Sequence, residues 1–356
     1  MTIELSLALP GGRLPGPGNH PAGPRLRRGH DAWFRERMAA VGLPLEHRLF
    51  RECEGVSLMC RVLPGADEDR LLGICLAASV LFLLDDVTDG DSAETSQAER
   101  YLAVLAGAPA DGGSAHLRLL AQTLERVRQG VSPTLWARFV AGFSEVVRTA
   151  ATKSAAPVPD YAGYLAVRRA DAAFDLVGVA IAHGLGLEGE RDPGPSETEL
   201  AGFLDACFEH TILVNDLLSY RKEYLLDEPM NALGVLCRTR GLDLQQAVDE
   251  LCARLAAAED AFFAEAGRLR RGYGDRPGLE PYLEAWGLML SGNLAWSLSC
   301  PRYNGRDGGR RWEGAADELP AVMVLHPDRT EFRDAPRAAT PVSAAAAAPA
   351  RGGPAW

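Results

Sequence analysis

Apolar residues recur at helical spacing along most of the chain, and this pattern predicts the elements. The stretches 71–84 and 202–218 are apolar over most of a helical circumference, which is typical of helices buried at the centre of a bundle. No alternating pattern is long enough to predict a strand. We therefore predict an all-α fold with a single core. The predicted helices lie near residues 30–41, 45–61, 68–88, 95–107, 115–129, 132–152, 159–185, 198–224, 230–239, 243–272 and 278–299.

The two ends of the chain differ in composition from this helical region. Residues 10–25 are too rich in Pro and Gly for a helix or strand, and residues 335–356 carry an alanine run between prolines. Such composition is typical of disorder. We expect a Pro/Gly-rich N-terminal tail over residues 1–27, an α-helical domain over residues 28–310 and a poorly ordered C-terminal tail over residues 311–356.

Composition also argues against several kinds of partner. Hydrophobic residues make up 47% of the 356 residues, and the formal net charge is −11. This charge argues against nucleic acid or an anionic membrane as a partner. The stretch from Met1 to Pro10 is apolar, but it lacks a basic start and is too short to span a membrane. We expect a soluble, cytoplasmic protein without stable membrane insertion, and the sequence leaves a homodimer open.

The most informative segment is residues 215–223, which read NDLLSYRKE. Asn215, Ser219 and Glu223 recur every four residues, so on a helix they form one polar stripe. A carboxamide, a hydroxyl and a carboxylate are hard oxygen ligands of the kind that Mg²⁺ accepts. Lys222 adds a cation that a metal alone would not need but an anionic partner would. The segment therefore predicts a metal-bridged phosphate site.

A second stretch, of acidic residues, ends the apolar run 71–84. Asp85 and Asp89 are one helical turn apart, and Asp86 flanks them. The three carboxylates are therefore expected to converge at one helix end.

These motifs resemble those of the class I terpene synthases (terpene cyclases), especially the bacterial ones. The family's DDxxD motif is matched without departure by residues 85–89, and its NDxxSxxKE motif by residues 215–223. A third signature, an Arg-Tyr pair near the chain end, is found as Arg302-Tyr303. The resemblance covers about residues 28–303. It implies a single class I terpenoid synthase helical bundle around a central apolar pocket.

The resemblance implies a Mg²⁺ cofactor, with three ions around the bound diphosphate. The implied metal ligands are Asp85, Asp86 and Asp89 on one wall and Asn215, Ser219 and Glu223 on the facing helix. Asp89 would bind conditionally, and Asp216 would orient these groups rather than bind metal. Lys222 would contact the diphosphate directly.

Members of this family also place a diphosphate-sensing arginine between the two metal motifs. Arg168 fits this place best, because Asp171 lies three residues on, where the family couples the arginine to the next turn. Ala172 then matches a position that is usually small. Arg169 would instead pair with surface acids, and the choice between the two arginines stays open.

Arg302 and Tyr303 would donate hydrogen bonds to the diphosphate and close the site, the arginine as a guanidinium fork. Pro301 departs from the family, which often has a glycine-like turn there, and it restrains the loop. The implied catalytic residues are Asp85, Arg168, Arg302 and Tyr303. The residues expected to line the apolar pocket are Phe82, Phe208, Asn293 and Trp296. Aromatic faces there can stabilise a carbocation by about 0.5–2 kcal/mol.

The implied activity is that of a terpene cyclase, a carbon–oxygen lyase acting on phosphates. It would ionise a linear isoprenyl diphosphate with Mg²⁺, release diphosphate and cyclise the carbocation. Farnesyl diphosphate is the expected substrate, and a sesquiterpene is the expected product. Three alternatives stay open: a diterpene cyclase acting on geranylgeranyl diphosphate, a chain-elongating prenyltransferase and a catalytically silent helical scaffold. Elongating enzymes use two Asp-rich motifs, so the Asn/Ser/Glu set favours the cyclase.

Overall fold

Helices dominate the described chain, as the hydrophobic pattern predicts. The computed structural model describes residues 3–43, 55–88, 95–110, 112–152, 158, 160–187, 195–226, 230–304, 312–313, 319 and 321–325. Within these ranges there are thirteen helices and three short strands. The helices are α1 (Gly23–Val41), α2 (Gly55–Val62), α3 (Glu68–Thr88), α4 (Thr95–Leu105), α5 (Ala115–Arg128), α6 (Pro133–Thr152), α7 (Tyr161–Asp171), α8 (Phe174–Gly184), α9 (Glu197–Leu226), α10 (Ala232–Arg240), α11 (Leu244–Tyr273), α12 (Leu279–Ser299) and α13 (Pro301–Asn304). The strands are β1 (Ile3–Ser6), β2 (Trp312–Glu313) and β3 (Val322–Leu325).

Helix α9, which carries the 215–223 motif, lies within the largest of three apolar clusters among the described residues. It packs against α11 and α12 along its length and also contacts α10 and α13. Phe203, Leu213 and Leu217 on α9 are fully or almost fully buried, which agrees with the apolar circumference predicted for this segment. A second core lies among α1, α3, α4, α5 and α6. None of the described helices is long and apolar enough to cross a membrane.

The single helix predicted over residues 159–185 is two helices, so this prediction is wrong. Helix α7 ends at Asp171 and α8 begins at Phe174. Between them, Ala173 has the left-handed backbone angle φ 56°, which cannot continue a right-handed helix. Neither Gly nor Pro stands at this break, so composition did not reveal it.

Local side chains and backbone restraints set several helix boundaries near the polar residues of α9. Asp160 caps the start of α7 and Asn231 caps the start of α10, each accepting a hydrogen bond from a backbone N–H of the first turn. Pro301 begins α13. Cys300 before it has an extended backbone, φ −70° and ψ 139°, which is the conformation favoured for a residue preceding proline.

Strands β1 and β3, from opposite parts of the chain, pair in a small antiparallel sheet of order β1-β3-β2, the chain-end sheet. Ile3 pairs with Leu325 and Ser6 with Val322. Leu5 and Leu325 are buried against the helices. The expectation that the chain holds no strand is therefore wrong. The strands were missed because β1 and β3 pair across more than three hundred positions, which leaves no local pattern in the sequence.

Helix α9 also buries a histidine without a complete set of partners. His210 is 1% exposed, and its Nδ1 has no hydrogen-bond partner within the described part of the chain. Burial disfavours the charged imidazolium and lowers the pKa of His210 to about 4.

This histidine should make the fold sensitive to mild acid. The imidazole stays neutral in the folded chain down to a pKa of about 4, whereas the unfolded chain takes up a proton near pH 6.5. The stability that depends on neutral His210 is therefore complete above pH 6.5 and is lost as the pH falls towards 4. At pH 5 the loss is about 2 kcal/mol. We expect His210→Leu to lose less unfolding free energy between pH 7.5 and pH 5 than the wild type, measured by urea unfolding at both pH values. Equal losses in the two proteins would contradict this account.

Candidate active site

A buried arginine on α7 organises the polar residues between α7 and α9. Arg168 donates from Nη1 to Asp171 at 2.5 Å, and from Nη2 to Asn215 at 2.8 Å and Asp216 at 3.0 Å. Its Nε donates to the Tyr164 hydroxyl at 3.1 Å. Tyr164, Arg168 and Asp171 share one face of α7 because they are spaced by four and three residues. Every nitrogen of the guanidinium is thus engaged, across two helices.

The charge of Arg168 is maintained although its side chain is buried. Burial alone would lower the pKa of Arg168, but the carboxylates of Asp171 and Glu223 outweigh it, and the pKa lies above its ordinary value. Arg168 therefore stays a cation at any physiological pH.

Asp216 is completely buried and holds three helices together. Its carboxylate accepts hydrogen bonds from Tyr164 on α7, from Arg168, and from the backbone N–H of Ala232 on α10 at 2.9 Å. A carboxylate sealed in this way orients its neighbours and does not face an open site.

The predicted oxygen stripe lies on the same helix, one residue per turn. The Asn215 amide nitrogen donates to the Tyr303 hydroxyl at 2.8 Å, and Glu223 accepts from the side chain of Asn231 at 2.7 Å. Between them, Ser219 is completely buried, and its hydroxyl has no hydrogen-bond partner among the described residues. An orphaned hydroxyl inside a protein is costly unless something else binds it. The stripe therefore fits a hard cation such as Mg²⁺.

Aromatic residues adjoin this polar network through α13. Tyr303 packs edge-on against Trp296, with ring centroids 5.3 Å apart, and Trp296 stacks on Phe82 at 6.1 Å. The Arg302 guanidinium lies over the Phe82 ring, 5.4 Å from its centroid. Burial raises the pKa of Tyr303, so its hydroxyl keeps its proton and remains a hydrogen-bonding group. The Arg-Tyr pair, Phe82, Trp296 and Asn215 are thus brought together, as the sequence analysis expected.

A cavity of about 220 Å³ lies between α3, α8 and the turn joining α5 to α6. Its wall on α3 extends from Asp69 to Phe82, about 20 Å along the helix axis. Positions 85 and 86 follow on the next turn of α3. Small residues widen the cavity: Gly73, Ala77, Ala78, Ala172, Ala173 and Ala180.

Two residues predicted to line the pocket have other contacts. Phe208 packs against Phe174, with centroids 5.2 Å apart, and lies under the guanidinium of Arg169 at 4.7 Å. The amide of Asn293 donates to the backbone carbonyl of Thr211 at 3.2 Å. Neither Phe208 nor Asn293 lines this cavity. The apolar periodicity of α9 correctly predicted that Phe208 is buried. It could not predict that the neighbouring residue is Phe174 and not the cavity.

The acidic motif and Lys222 cannot be assigned contacts from the described side chains. Asp85 and Asp86 belong to the last turn of α3, but their side chains lie outside the described part of the chain, as does the whole of Asp89. Lys222 is half-buried on α9. The roles predicted for these four residues stay predictions.

Two further site residues were missed by the sequence analysis. Tyr164 binds both Arg168 and Asp216, and Asn231 binds Glu223 while capping α10. Tyr164 lies one turn before Arg168, so helical spacing alone could have suggested it. Asn231 and Glu223 are eight positions apart and do not belong to one helix, so their bond has no such local signal.

Comparison with known proteins identifies the family. The family described as terpene synthase family 2, C-terminal metal binding, matches residues 77–261, more than half of the chain. The chain belongs to terpene synthase family 2. It is a terpene synthase with a metal-binding domain, and thus a carbon–oxygen lyase acting on phosphates.

Several relatives resemble most of the chain at low identity. A (3S,6E)-nerolidol synthase from Selaginella moellendorffii is 28% identical over 288 residues, which cover 77% of each protein. Sesquiterpene synthase 3 from Postia placenta is 28% identical over 280 residues, 74% of each protein. Aristolochene synthase from Aspergillus terreus is 25% identical over 260 residues, 69% of this chain and 79% of that enzyme.

Solved structures share the helical architecture. Germacradien-4-ol synthase from Streptomyces citricolor superposes with a TM-score of 0.68 at 19% identity, covering 82% of this chain and 97% of that one. Hedycaryol synthase gives a TM-score of 0.66 at 22% identity, with 82% and 98% covered. These likenesses confirm the predicted class I terpenoid synthase fold.

The burial of Arg168 should distinguish it from its neighbour Arg169. Arg169 pairs with exposed Asp205 at 2.8 Å, and an exposed pair is worth at most about 1 kcal/mol. Removing Arg168 leaves Asp171 and Asp216 buried without their cation, which costs about 3–5 kcal/mol. We expect Arg168→Met to lower the unfolding free energy by about that amount and Arg169→Met by about 1–2 kcal/mol, measured by urea unfolding. Equal losses would show that the Arg168 charge is not buried as described.

Proposed function

We propose that this terpene synthase ionises farnesyl diphosphate with Mg²⁺ and cyclises the resulting carbocation to a sesquiterpene. The carrying observation is the buried Arg168 network, which includes Asn215, one helical turn before Ser219, whose buried hydroxyl has no hydrogen-bond partner within the described residues. The relatives named nerolidol synthase, sesquiterpene synthase and aristolochene synthase support a fifteen-carbon substrate.

The proposed metal site has two walls. Asn215, Ser219 and Glu223 would hold one ion on α9, and Asp85 and Asp86, with Asp89 binding conditionally, would hold the others on α3, for three ions in all. Bound Mg²⁺ would supply positive charge to the departing diphosphate oxygens.

The protein's own cations would complete the diphosphate site. Arg168 is held beside Asn215, Arg302 lies over Phe82, and Lys222 adds a third cation. A charge pair at 4 Å is worth about 4 kcal/mol at an effective dielectric of 20. Several such pairs, formed most strongly as the leaving group gains charge, would lower the ionisation barrier. Tyr303, protonated and bound to Asn215, would add a neutral donor.

The apolar cavity would hold the isoprenyl chain and exclude water from the cation. Phe82 contributes to both the cavity and the aromatic stack with Trp296. Aromatic faces in a dry site stabilise a cation by about 0.5–2 kcal/mol each.

A substrate panel tests this function. The purified chain is incubated with Mg²⁺ and the ten-, fifteen- and twenty-carbon diphosphates, and products are identified by gas chromatography and mass spectrometry. We expect farnesyl diphosphate to give the highest kcat/KM and a cyclic hydrocarbon or alcohol. A dominant reaction of geranylgeranyl diphosphate would indicate a diterpene cyclase and a longer diphosphate a chain-elongating enzyme. No turnover would indicate a silent scaffold.

A variant at Gly73 tests, with the same three substrates, whether the isoprenyl chain extends along the cavity. Gly73 lines the cavity, and a Cβ there would meet nothing within 4 Å. Gly73→Leu should therefore shorten the cavity and lower kcat/KM for the twenty-carbon substrate about tenfold more than for the fifteen-carbon one, about 1.4 kcal/mol. Gly272→Leu is the matched control, because Gly272 is an exposed helical glycine with the same open surroundings. An unchanged ratio in Gly73→Leu would show that the chain does not extend along this cavity.

Ser219 offers a test of the metal site that separates ligation from packing. Because its buried hydroxyl has no hydrogen-bond partner in the part of the chain that the structure describes, Ser219→Ala should leave the unfolding free energy unchanged or raise it by about 1 kcal/mol. The same change should raise the Mg²⁺ concentration needed for half-maximal turnover about tenfold or more. It should also reduce the rise in Tm produced by Mg²⁺ with inorganic pyrophosphate.

Ser297→Ala is the matched control for this variant. Ser297 is likewise completely buried on α12 with a partnerless hydroxyl among the described residues, so its loss should affect stability alone. A Mg²⁺ requirement that is the same in Ser219→Ala and wild type would remove Ser219 from the ligand set.

A further inference from the structure

We propose that Arg221 is a positioning residue that holds the Arg302-Tyr303 pair in place and links it to the chain-end sheet. This inference rests on the proposed function, in which Arg302 and Tyr303 contact the diphosphate. Arg221 belongs to the 215–223 motif but is not one of its predicted ligands.

The side chain of Arg221 reaches away from the oxygen stripe. It is 4% exposed, and its Nη1 donates to the side-chain oxygen of Asn304 at 2.9 Å. Its Nε donates to the backbone carbonyl of Val324 on β3 at 3.1 Å. One guanidinium therefore joins α9, α13 and β3.

Asn304 transmits this restraint to the end of α12. It is 1% exposed, and its amide nitrogen donates to the carbonyls of Ser297 at 2.9 Å and Cys300 at 3.0 Å. These are carbonyls at a helix end, which need such donors. Asn304 directly follows Tyr303, so the bond from Arg221 fixes the residue adjoining the pair.

The Arg302-Tyr303 pair is also held on its other side, by Asn215 and Phe82. The Tyr303 hydroxyl accepts from Asn215 at 2.8 Å, and Arg302 lies over Phe82. The pair is thus held between Asn215 and Asn304, and both anchors depend on α9. Asn215 and Arg221 are six residues apart on that helix, so a shift of α13 relative to α9 would displace both diphosphate-binding side chains together.

The experiment compares Arg221→Met with Asn304→Ala, which break the same bond from its two ends. With farnesyl diphosphate, each should lower kcat about 10- to 100-fold and change KM by less than about threefold, because the misplaced donors act mainly on the departing diphosphate. The double variant, Arg221→Met with Asn304→Ala, should have a kcat no lower than that of the more impaired single variant. Arg221→Lys, which keeps the charge and most of the length, should recover part of kcat.

Arg118→Met is the matched control. Arg118 also donates to two backbone carbonyls, those of Gly113 and Val41, but on α5. It should lose stability and keep kcat within about twofold.

A second cycle tests whether Arg221 acts through Tyr303. Tyr303→Phe should lower kcat in the wild type but have little further effect in the Arg221→Met background. If the two effects multiply, or if Arg118→Met loses kcat as Arg221→Met does, the positioning role is overturned while the proposed function stands. A wild-type chain that turns over no isoprenyl diphosphate would overturn both.

Discussion

The charge of Arg168 must be neutralised from within the protein because this residue is only 8% exposed. Much of the described site serves this purpose. Arg168 is compensated by Asp171 on its own helix and by Asp216 on α9. A buried charge pair of this kind contributes little net stability when intact, yet it is costly to break. The two helices are therefore held in one register, because any other arrangement would leave a charge buried alone.

Arg168 also lies in the last turn of α7, where a cation is favoured. The last turn of a helix presents unpaired carbonyls and a partial negative charge, so a cation at Arg168 is favoured there. The next residues pass through a left-handed conformation at Ala173, which costs about 1–2 kcal/mol for a residue with a Cβ. The guanidinium of Arg169 lies 5.3 Å from the centre of the Phe174 ring, across the break. A strained backbone conformation persists only where the surrounding contacts hold it in place, and such conformations are typical of functional sites.

The sequence predicted best what depends on one helix. The stripe of Asn215, Ser219 and Glu223 follows from a spacing of four within α9. The burial of that helix follows from the apolar residues around most of its circumference. What depends on two distant segments was not predictable. Tyr164 and Asp216 lie 52 positions apart, and nothing in either segment identifies the other. The break at Ala173 was missed because neither Gly nor Pro marks it in the sequence.

The chain-end sheet was missed for a related reason. Strands of four residues carry too few positions for an alternating pattern to stand out from loop sequence. β1 also precedes a stretch whose Pro and Gly content predicts no regular structure. The contact between Arg221 and Val324 shows that these segments nevertheless reach the helix that carries the metal motif.

Electrostatics connects these features with the proposed chemistry. An acidic chain of net charge −11 is a poor attractor of diphosphate at long range. Because Asp171 and Asp216 compensate Arg168, this arginine adds little net positive charge to the site. In the proposed site, bound metal together with Arg302 and Lys222 would supply the remainder, and the proposed ligand Asn215 directly contacts Arg168. In that arrangement the groups proposed to bind metal and those proposed to bind diphosphate meet at one side chain, Asn215, which accepts from Arg168 and donates to Tyr303. Metal and diphosphate would therefore be bound as one unit, because neither half of the site is complete without the other.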